Sequence, residues 1–536
     1  MTQFSNRALD PVDLSRRSLV SAISLILLSL VLGSVLFLAL RSPLKDDIAW
    51  LLYVARRWLA GRELYVDVVE VNPPLIIWIS AVLLEIAQWL DVDAQSVVMP
   101  VLIAAVMSCA WWSASLLRSR GGLFGQTLPV FTAIATALLI LPAVDLGQRE
   151  HLLVAAFLPY LVLFARSLEG PALDGPTPPL ASLLAGVLAG LGCALKPRYA
   201  AMFVVLEVVA LTRGLRPWRV MPLAAGTALL GYAGLVAIVC PAYLQHAVPM
   251  ALALYGATDV PFLDLLSATA ILLAGETVAI GLLWLRRRSL TDYDLMLTLV
   301  VFAATSTVIC FLDGKNWYYH RLPAIVTTVL ALLVWTATEL IQRRWRMHWP
   351  LLAACLAVAV FGASSAQRLE PEAIEAVEPT PTAVDRLEQI LRAEHARTYI
   401  AFSEWIALGF PVVNETGVTW ASRFDSMWAL KGEVWRAQFD PAADREWPIA
   451  RWVAHDFIAG CPDIAVVDTR ETTRYISVLS RADPAFARAW SRYRPIALFD
   501  GLVVYKRGKA GCLDVWVAAE ANPAIGARAK PPTDIR

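Results

Sequence analysis

Charged residues are scarce in this chain. Asp, Glu, Lys and Arg make up 17% of its 536 residues, whereas hydrophobic residues make up 58%. The net charge of +1 provides no basic surface for a nucleic-acid partner. The patterns G-x-x-x-x-G-K-[ST], H-E-x-x-H and G-x-S-x-G do not occur. The sequence therefore argues against a P-loop ATPase, a zinc protease of that type and an α/β-hydrolase.

Cysteines are few, and the seven that occur include no C-x-x-C pair. Five lie inside apolar stretches, where a cysteine behaves as a small core residue. The other two are Cys461 and Cys512 in the C-terminal region. In an oxidising compartment they could form a disulfide, or they could remain two buried thiols, and the sequence leaves both alternatives open.

Long apolar stretches dominate the first 366 residues. Because a membrane-spanning helix needs about 20 apolar residues, we predict a polytopic α-helical membrane protein with about eleven spans. The first stretch is too long for a secretory signal and lacks a cleavage site, so it should remain as an anchor. The predicted spans lie near 18–40, 97–117, 127–143, 151–166, 180–195, 198–212, 219–240, 265–285, 295–312, 321–341 and 349–366.

Arginine clusters predict which loops face the cytoplasm. They place the N-terminus, 1–17, inside and the first loop, 41–96, outside, together with everything after 367. This alternation requires the apolar stretch 73–90 to be an interfacial or re-entrant helix rather than a span. The clusters are Arg16 and Arg17, Arg118 and Arg120, Arg213, Arg216 and Arg219, Arg286 to Arg288, and Arg343, Arg344 and Arg346. The remaining outer loops are 144–150, 196–198, 241–264 and 313–320.

The domain organisation follows from the change of composition after Arg368. We predict a transmembrane domain over 18–366, a Pro/Glu-rich linker over 367–381 and a flexible tail over 511–536. Between linker and tail, residues 382–510 should form a small extracytoplasmic α/β domain. Its strand-like runs are 398–402, 464–467 and 496–505, the last with a turn at Phe499-Asp500-Gly501.

The segment from Lys45 to Ala60 has a helical pattern, with apolar residues such as Ile48 and Leu52 on one face. Because Trp50 and Trp58 accompany that face, the pattern predicts a helix lying in the headgroup layer.

Four charged clusters fall at the predicted outer edge: Lys45-Asp46-Asp47, Asp145 to His151, Lys196-Pro197-Arg198, and Asp313 to Arg321. The first three lysines of the chain, Lys45, Lys196 and Lys315, are all among them. Carboxylates at this depth can accept a proton, and cations can stabilise the charge on a departing phosphate.

Structural explanations compete with function at these positions. Lys196 and Arg198 could simply extend from helix ends to the interface. Arg149 and Glu150 could form an ion pair at a helix start, and His320 could belong to an aromatic belt. The pair Asp46 and Asp47 could cap a helix, but one residue suffices for a cap, so we favour function there.

The segment that opens with Asp46-Asp47-Ile48-Ala49-Trp50 and continues through AGRELYVDVVEVNPPL (60–75) resembles the first outer loop of GT-C membrane glycosyltransferases. Protein O-mannosyltransferases, the lipid A aminoarabinose transferase and rhizobial galacturonosyltransferases belong to this family. The resemblance extends to about His320 and is strongest over 46–75. The chain departs from the common pattern at Asn72, where the family often has histidine, and in the loop DLGQREH.

The resemblance implies inverting transfer of a sugar from a polyprenyl-phosphate carrier to an acceptor on the periplasmic face of a bacterial inner membrane. It implies that Asp46 acts as the base or orients the acceptor, with Asp47 as its acidic neighbour and Asp145 as the second acid. Glu150, with Arg149 beside it, would help to orient the acceptor or the sugar. The carrier phosphate would meet Lys196, Arg198, Lys315, His320 and Arg321.

The cofactor, the acceptor and the reaction itself stay open at this point. A divalent metal held by Asp46 and Asp145 is conceivable, although no ligand spacing requires one. The acceptor could be an envelope glycan, a lipid or a protein, and Trp405, Trp420, Trp428 and Trp435 could stack on sugar rings or be core residues. A flippase of lipid-linked sugars is the main alternative, and a polysaccharide ligase and a non-enzymatic scaffold are two others.

Overall fold

The computed structural model describes residues 11–118, 122–169, 179–287, 290–342, 349–378, 381–440 and 443–508. The predicted tail, Cys512 and several of the arginines used for topology (Arg120, Arg288, Arg343, Arg344 and Arg346) lie outside these residues. The helices are α1 (Pro11–Arg41), α2 (Asp46–Leu59), α3 (Pro74–Leu90), α4 (Gln95–Leu117), α5 (Thr127–Ile140), α6 (Arg149–Glu169), α7 (Pro179–Leu195), α8 (Ala200–Thr212), α9 (Val220–Val239), α10 (Val248–Leu254), α11 (Phe262–Ala268), α12 (Ala270–Leu285), α13 (Tyr293–Asp313), α14 (Leu322–Gln342), α15 (Trp349–Val377), α16 (Ala383–Ala393), α17 (Val412–Thr416), α18 (Trp428–Arg436), α19 (Ala443–Glu446), α20 (Ile449–Gly460), α21 (Tyr475–Ala482) and α22 (Pro484–Trp490). The strands are β1 (Thr398–Phe402), β2 (Thr419–Trp420), β3 (Ile464–Asp468), β4 (Tyr493–Phe499) and β5 (Leu502–Arg507).

Within the described residues, seven helices are long and apolar enough to cross a membrane: α1, α4, α6, α9, α13, α14 and α15. The pair α11 and α12, bent by 62° at Thr269, would make an eighth span. Helices α3, α5 and α7 are apolar but shorter. Each predicted span falls on helical structure, although the one over 265–285 covers the bent pair α11 and α12. The helical class with several candidate membrane spans is therefore confirmed, while the number of spans stays a prediction.

The chain divides into two compact units. The first unit takes the described residues of Met1–Pro43, Asn72–Val239 and Val260–Pro379. The second takes those of Leu44–Val71, Cys240–Asp259 and Thr380–Arg536. Residues from the predicted first outer loop and from the predicted loop 241–264 therefore fold with the C-terminal sheet.

Small residues bring two helices of the first unit into backbone contact. Gly186 and Gly190 lie four positions apart on α7, facing α9. A Cβ atom on Gly190 would lie 2.6 Å from the carbonyl oxygen of Ala225, closer than such atoms approach. This small-residue spacing is typical of helices that pack in a membrane, where close backbone approach replaces the hydrophobic effect.

The second unit is built on a five-stranded sheet with the order β2-β1-β3-β5-β4. Strands β1, β2 and β3 are parallel, and β5 pairs antiparallel with both β3 and β4. The hairpin turn between β4 and β5 contains Asp500 and Gly501, both at positive φ. The predicted runs 398–402 and 464–467 match β1 and β3, and the predicted turn splits 496–505 into the last two strands. The predicted sheet near the C-terminus is thereby confirmed, and the unit that contains it is larger than the predicted 382–510.

Helix α2 packs inside the second unit. Trp50 is 2% exposed, and its ring lies 4.9 Å from that of Phe410, which also contacts Tyr53. The amide of Asn414 donates a hydrogen bond of 3.1 Å to the carbonyl of Ala49. The helix was predicted correctly, but the expectation that Trp50 faces lipid headgroups is wrong. The apolar face of α2 packs against other residues of the second unit.

Helix α15 continues to Val377 and passes through Pro371, so much of the predicted linker 367–381 is helical. The capping box of Thr382 and Asp385 then starts α16. Cys461 is disulfide-bonded, whereas Cys109, Cys193, Cys240, Cys310 and Cys355 are free thiols.

Candidate functional site: a buried charged cluster in the first unit

Three of the predicted charged segments meet in the first unit because helices begin and end there. Helix α6 begins at Arg149, which puts Glu150 in its first turn. Lys196 follows the last residue of α7, and Asp313 is the last residue of α13. His320 and Arg321 belong to a 3₁₀ turn that precedes α14. The site therefore consists of side chains from helix ends that share one level of the bundle.

The central contacts form a continuous chain in which basic and acidic side chains alternate. Lys196 Nζ lies 2.8 Å from Glu150 Oε1, and His320 Nε2 lies 3.5 Å from the same oxygen. The other ring nitrogen of His320, Nδ1, lies 3.3 Å from Asp313 Oδ2. Asp313 also pairs with Arg198 through Oδ1. We refer to Glu150, Lys196, Arg198, Asp313 and His320 as the charged cluster.

The inner members of the charged cluster are almost fully buried. Glu150 is 1% exposed and His320 is 5% exposed. Among the described residues, neither Glu150 Oε2 nor either ring nitrogen of His320 finds a hydrogen bond of good geometry. Since nearly all buried polar atoms in proteins are hydrogen-bonded, these atoms indicate a place for polar ligand atoms or water.

Cations predominate around the charged cluster. Arg149 and Lys315, both buried, lie within electrostatic range of His320, as do Lys196 and Arg198. Burial lowers the pKa of the Lys196 amine, and the nearby arginines act in the same direction while Glu150 opposes them. A bound anion would relieve this mutual repulsion of cations. The arrangement is therefore suited to a phosphate or another compact anion.

Arg321 and Asp145 lie beside the charged cluster and have different surroundings. The guanidinium of Arg321 donates to Asn316 Oδ1 at 2.7 Å and to the carbonyl of Ala268. Asp145 is 4% exposed and lies within electrostatic range of Arg321 and Tyr318. These contacts show Arg321 supporting the turn before α14, so its predicted contact with phosphate stays a prediction.

The acidic pair predicted from the sequence lies in the second unit, at the start of α2. Asp46 Oδ1 accepts a hydrogen bond of 2.9 Å from the backbone N–H of Asp47, and Lys45 Nζ lies 3.6 Å from the same oxygen. Burial, followed by the charge of Asp47, raises the pKa of Asp46. Asp46 therefore accepts a proton more readily than an ordinary aspartate does.

Two further acids lie near this pair and were not predicted from the sequence. Glu70 accepts a hydrogen bond from the indole N–H of Trp50, and Asp425 Oδ1 accepts one of 2.9 Å from Trp428 Nε1. Burial, with the charges of Glu70 and Asp47, raises the pKa of Asp425 to about 8. Glu70 stands out only as an acid in the valine-rich run before Asn72, and no local pattern marks Asp425.

The four tryptophans considered for sugar stacking fall into two classes. Trp420 and Trp428 are core residues, 4% and 7% exposed. Trp405 and Trp435 are 41% and 40% exposed. The guanidinium of Arg470 lies 5.2 Å from the ring centre of Trp405, whereas Trp435 packs against Phe439. Only the exposed pair remains available for a ligand.

In the part of the chain that the structure describes, no group of three or more His, Cys, Asp or Glu side chains is arranged to hold a metal ion. Compared with known proteins, the chain matches no protein-family model and no curated protein sequence.

Proposed function

We propose that the chain is an inverting glycosyltransferase that moves a sugar from a polyprenyl-phosphate carrier to an acceptor of the bacterial envelope. The observation that carries this proposal is the charged cluster, in which buried polar atoms lack hydrogen bonds and to which Arg149 and Lys315 bring further positive charge. Such a site at the ends of apolar helices fits a phosphate attached to a lipid, because the lipid tail can remain among the helices.

In the proposed reaction, Lys196 and Arg198 bind the carrier phosphate, assisted by Arg149 and Lys315. Their positive charge stabilises the phosphate as it leaves, which is where negative charge develops in the transition state. Glu150 holds Lys196 in place through the contact of 2.8 Å. Glu150 thereby acts as a positioning residue for the anion site.

Asp46 is assigned the role of general base. An acceptor hydroxyl attacks the anomeric carbon, the bond between that carbon and the phosphate oxygen breaks, and the acceptor proton passes to Asp46. The raised pKa of Asp46 improves its ability to take that proton. Asp47 is the acidic neighbour of Asp46, and Asp145 is assigned to orient the sugar or the acceptor.

The membrane arrangement belongs to the same proposal. We place the chain in the bacterial inner membrane with about eleven spans, its N-terminus in the cytoplasm and its C-terminal sheet in the periplasm. Arg213, Arg216 and Arg219, between α8 and α9, would then face the cytoplasm. The acceptor proposed on this basis is an envelope glycan, with lipid and protein acceptors as alternatives.

The test is sugar transfer in proteoliposomes supplied with radiolabelled polyprenyl-phosphate sugars and total envelope lipid. We expect Asp46→Asn to abolish transfer and Asp47→Asn to reduce it, because Asn cannot accept the proton. Asp500→Asn is the matched control, since Asp500 lies in an exposed turn that asparagine tolerates equally well. Full transfer in both α2 variants would overturn the assignment of the base.

One observation favours a flippase as the second candidate. Glu276 is buried in α12, and its Oε1 accepts a hydrogen bond of 2.6 Å from Thr307 on α13. Acidic residues inside membrane helices often belong to transport paths. Movement of lipid-linked sugar across the bilayer without transfer, together with its loss in Glu276→Gln, would support this candidate over the enzyme.

A further inference from the structure

An apolar cavity of about 180 Å³ lies among five helices of the first unit, α4, α5, α6, α13 and α14. Leucine, valine and isoleucine side chains form most of its wall. The polar side chain in the wall is Ser113, whose hydroxyl donates to the carbonyl of Cys109 within its own helix at 2.8 Å. The cavity therefore offers nothing that would bind a sugar, a phosphate or a carboxylate.

The cavity lies away from the charged cluster along three helices that adjoin both, α6, α13 and α14. Along α6, the lining residues Leu158 and Val162 lie 8 and 12 positions after Glu150. At 1.5 Å per residue these positions are roughly 12 and 18 Å from the cluster. On α14, Leu330 and Ala337 lie roughly 15 and 25 Å beyond His320 by the same measure.

The cavity opens to the outside of the bundle. Ala133 on its rim is exposed, and Pro129 and Val130 beside it are half-buried. The inner wall is closed, since Leu158 and Leu299 are 2% and 4% exposed. A chain lying against the surface of the helices can therefore enter the cavity from the side without unfolding the bundle.

The volume limits what can enter. An apolar cavity of about 150 Å³ in another protein holds one benzene molecule, with six carbons. By that measure this cavity takes the equivalent of about one to two isoprene units. An isoprene unit contributes four main-chain carbons, so with bonds of about 1.5 Å it advances roughly 4 to 5 Å.

We propose that this cavity binds the polyprenyl chain of the donor at about three to five isoprene units from the phosphate, and so selects long-chain carriers. The inference rests on the proposed function, because the occupant is the tail of the lipid whose phosphate binds the charged cluster. The span of roughly 12 to 25 Å between cluster and cavity sets that count of units. A carrier with two isoprene units is too short to reach the cavity.

The occupant is a chain anchored at the charged cluster rather than any bilayer hydrocarbon. Three of the five helices around the cavity have an end at the cluster: α6 begins there, α13 ends there, and α14 starts just after it. A phosphate held by Lys196 and Arg198 directs its own tail along these helices. A phospholipid has no such anchor and would bind with no preference for length.

The experiment fills the cavity and measures binding of two probes, undecaprenyl phosphate and geranyl phosphate, to the purified full chain by native mass spectrometry. The filling variants are Ala133→Phe and Ala337→Phe. The matched control is Ala105→Phe, because Ala105 is exposed on α4 and does not line the cavity. Sugar transfer from the undecaprenyl and geranyl donors is measured in parallel.

We expect the two filling variants to bind undecaprenyl phosphate at least about 10-fold more weakly, with geranyl phosphate and the control variant unchanged. Equal weakening of both probes, or weakening of neither, would overturn the inference while leaving the transferase intact. If the filling variants also lose co-purified phospholipid to the same degree as undecaprenyl phosphate, the inference is overturned as well. If the unmodified chain neither binds undecaprenyl phosphate nor transfers sugar, the proposed function fails first, and the inference with it.

Discussion

The two units bring their charged side chains together in different ways. In the first unit, Glu150, Lys196 and Asp313 come from helix ends, and cations predominate around them. In the second unit, Asp47, Glu70 and Asp425 come from far apart in the chain, and acids predominate. Helix ends can be predicted from a sequence, so the first group of side chains could be expected. The group of acids in the second unit depends on the tertiary fold. In the proposed reaction, the first grouping binds the anion and the second accepts the proton.

The sharpest test of this contrast compares two lysine–glutamate pairs, one in each unit. Lys196 lies 2.8 Å from Glu150 in the first, and Lys431 lies 2.7 Å from Glu404 in the second. We expect Lys196→Gln to lower kcat/KM for sugar transfer about 100-fold or more, close to 3 kcal/mol, because it removes a charge next to the phosphate. Lys431→Gln should stay within about twofold, since that pair is partly exposed. Equal losses in the two variants would refute the assignment of the anion site to the first unit.

Helix packing in the first unit gives the next largest effect. Gly190→Ala should destabilise the chain by about 1–3 kcal/mol, because the new methyl group would meet the backbone of α9 at Ala225. Gly226→Ala on α9 is the control, since nothing lies within 4 Å of the added atom. Thermal unfolding in detergent measures both variants. A loss of stability in the control alone would contradict the packing described.

The acids of the second unit predict a pH dependence of stability. Between about pH 4 and pH 8, the folded chain keeps a proton on Asp425 that the unfolded chain has lost. The free energy of unfolding should therefore fall as the pH rises through this window and level off above it. Asp425→Asn, which is neutral throughout, should flatten the dependence and be more stable than the unmodified chain at pH 8.5. A parallel pH dependence in both proteins, measured by thermal unfolding, would contradict the raised pKa.

The smallest expected effect concerns the two exposed tryptophans. Trp405 follows β1, and its ring lies beside the guanidinium of Arg470, whereas Trp435 packs against the apolar Phe439. If Trp405 stacks on the acceptor, Trp405→Ala should raise the KM for acceptor about threefold, with kcat unchanged. Trp435→Ala should leave the KM unchanged. The same shift in both variants would remove any specific role of Trp405.

The sequence was sufficient for the features that depend on local patterns. Apolar stretches predicted the helices, the alternating runs predicted β1 and β3, and the acidic pair predicted the start of α2. Lys196 and Glu150 were predicted at one membrane edge because both lie next to long apolar stretches. Their direct contact was not predicted, since the sequence pattern suggested instead that Glu150 pairs with Arg149.

The features that escaped prediction depend on contacts between distant segments. An amphipathic helix pattern does not say whether its apolar face meets lipid or protein, and for Trp50 the partner is Phe410. Asp425 lies in an irregular segment before α18, and only the fold brings it near Glu70. The helical start of the predicted linker was missed because Pro371 suggested a break, whereas α15 continues through it.

The central claim is that the charged cluster binds the phosphate of a lipid carrier. The most direct measurement compares the affinity of the full chain for undecaprenyl phosphate and for undecaprenol, before and after the double change Lys196→Gln and Arg198→Gln. The account predicts that the unmodified chain prefers the phosphate by at least about 10-fold, and that the double variant loses this preference while binding undecaprenol as before. Equal affinity for phosphate and alcohol in the unmodified chain would contradict it.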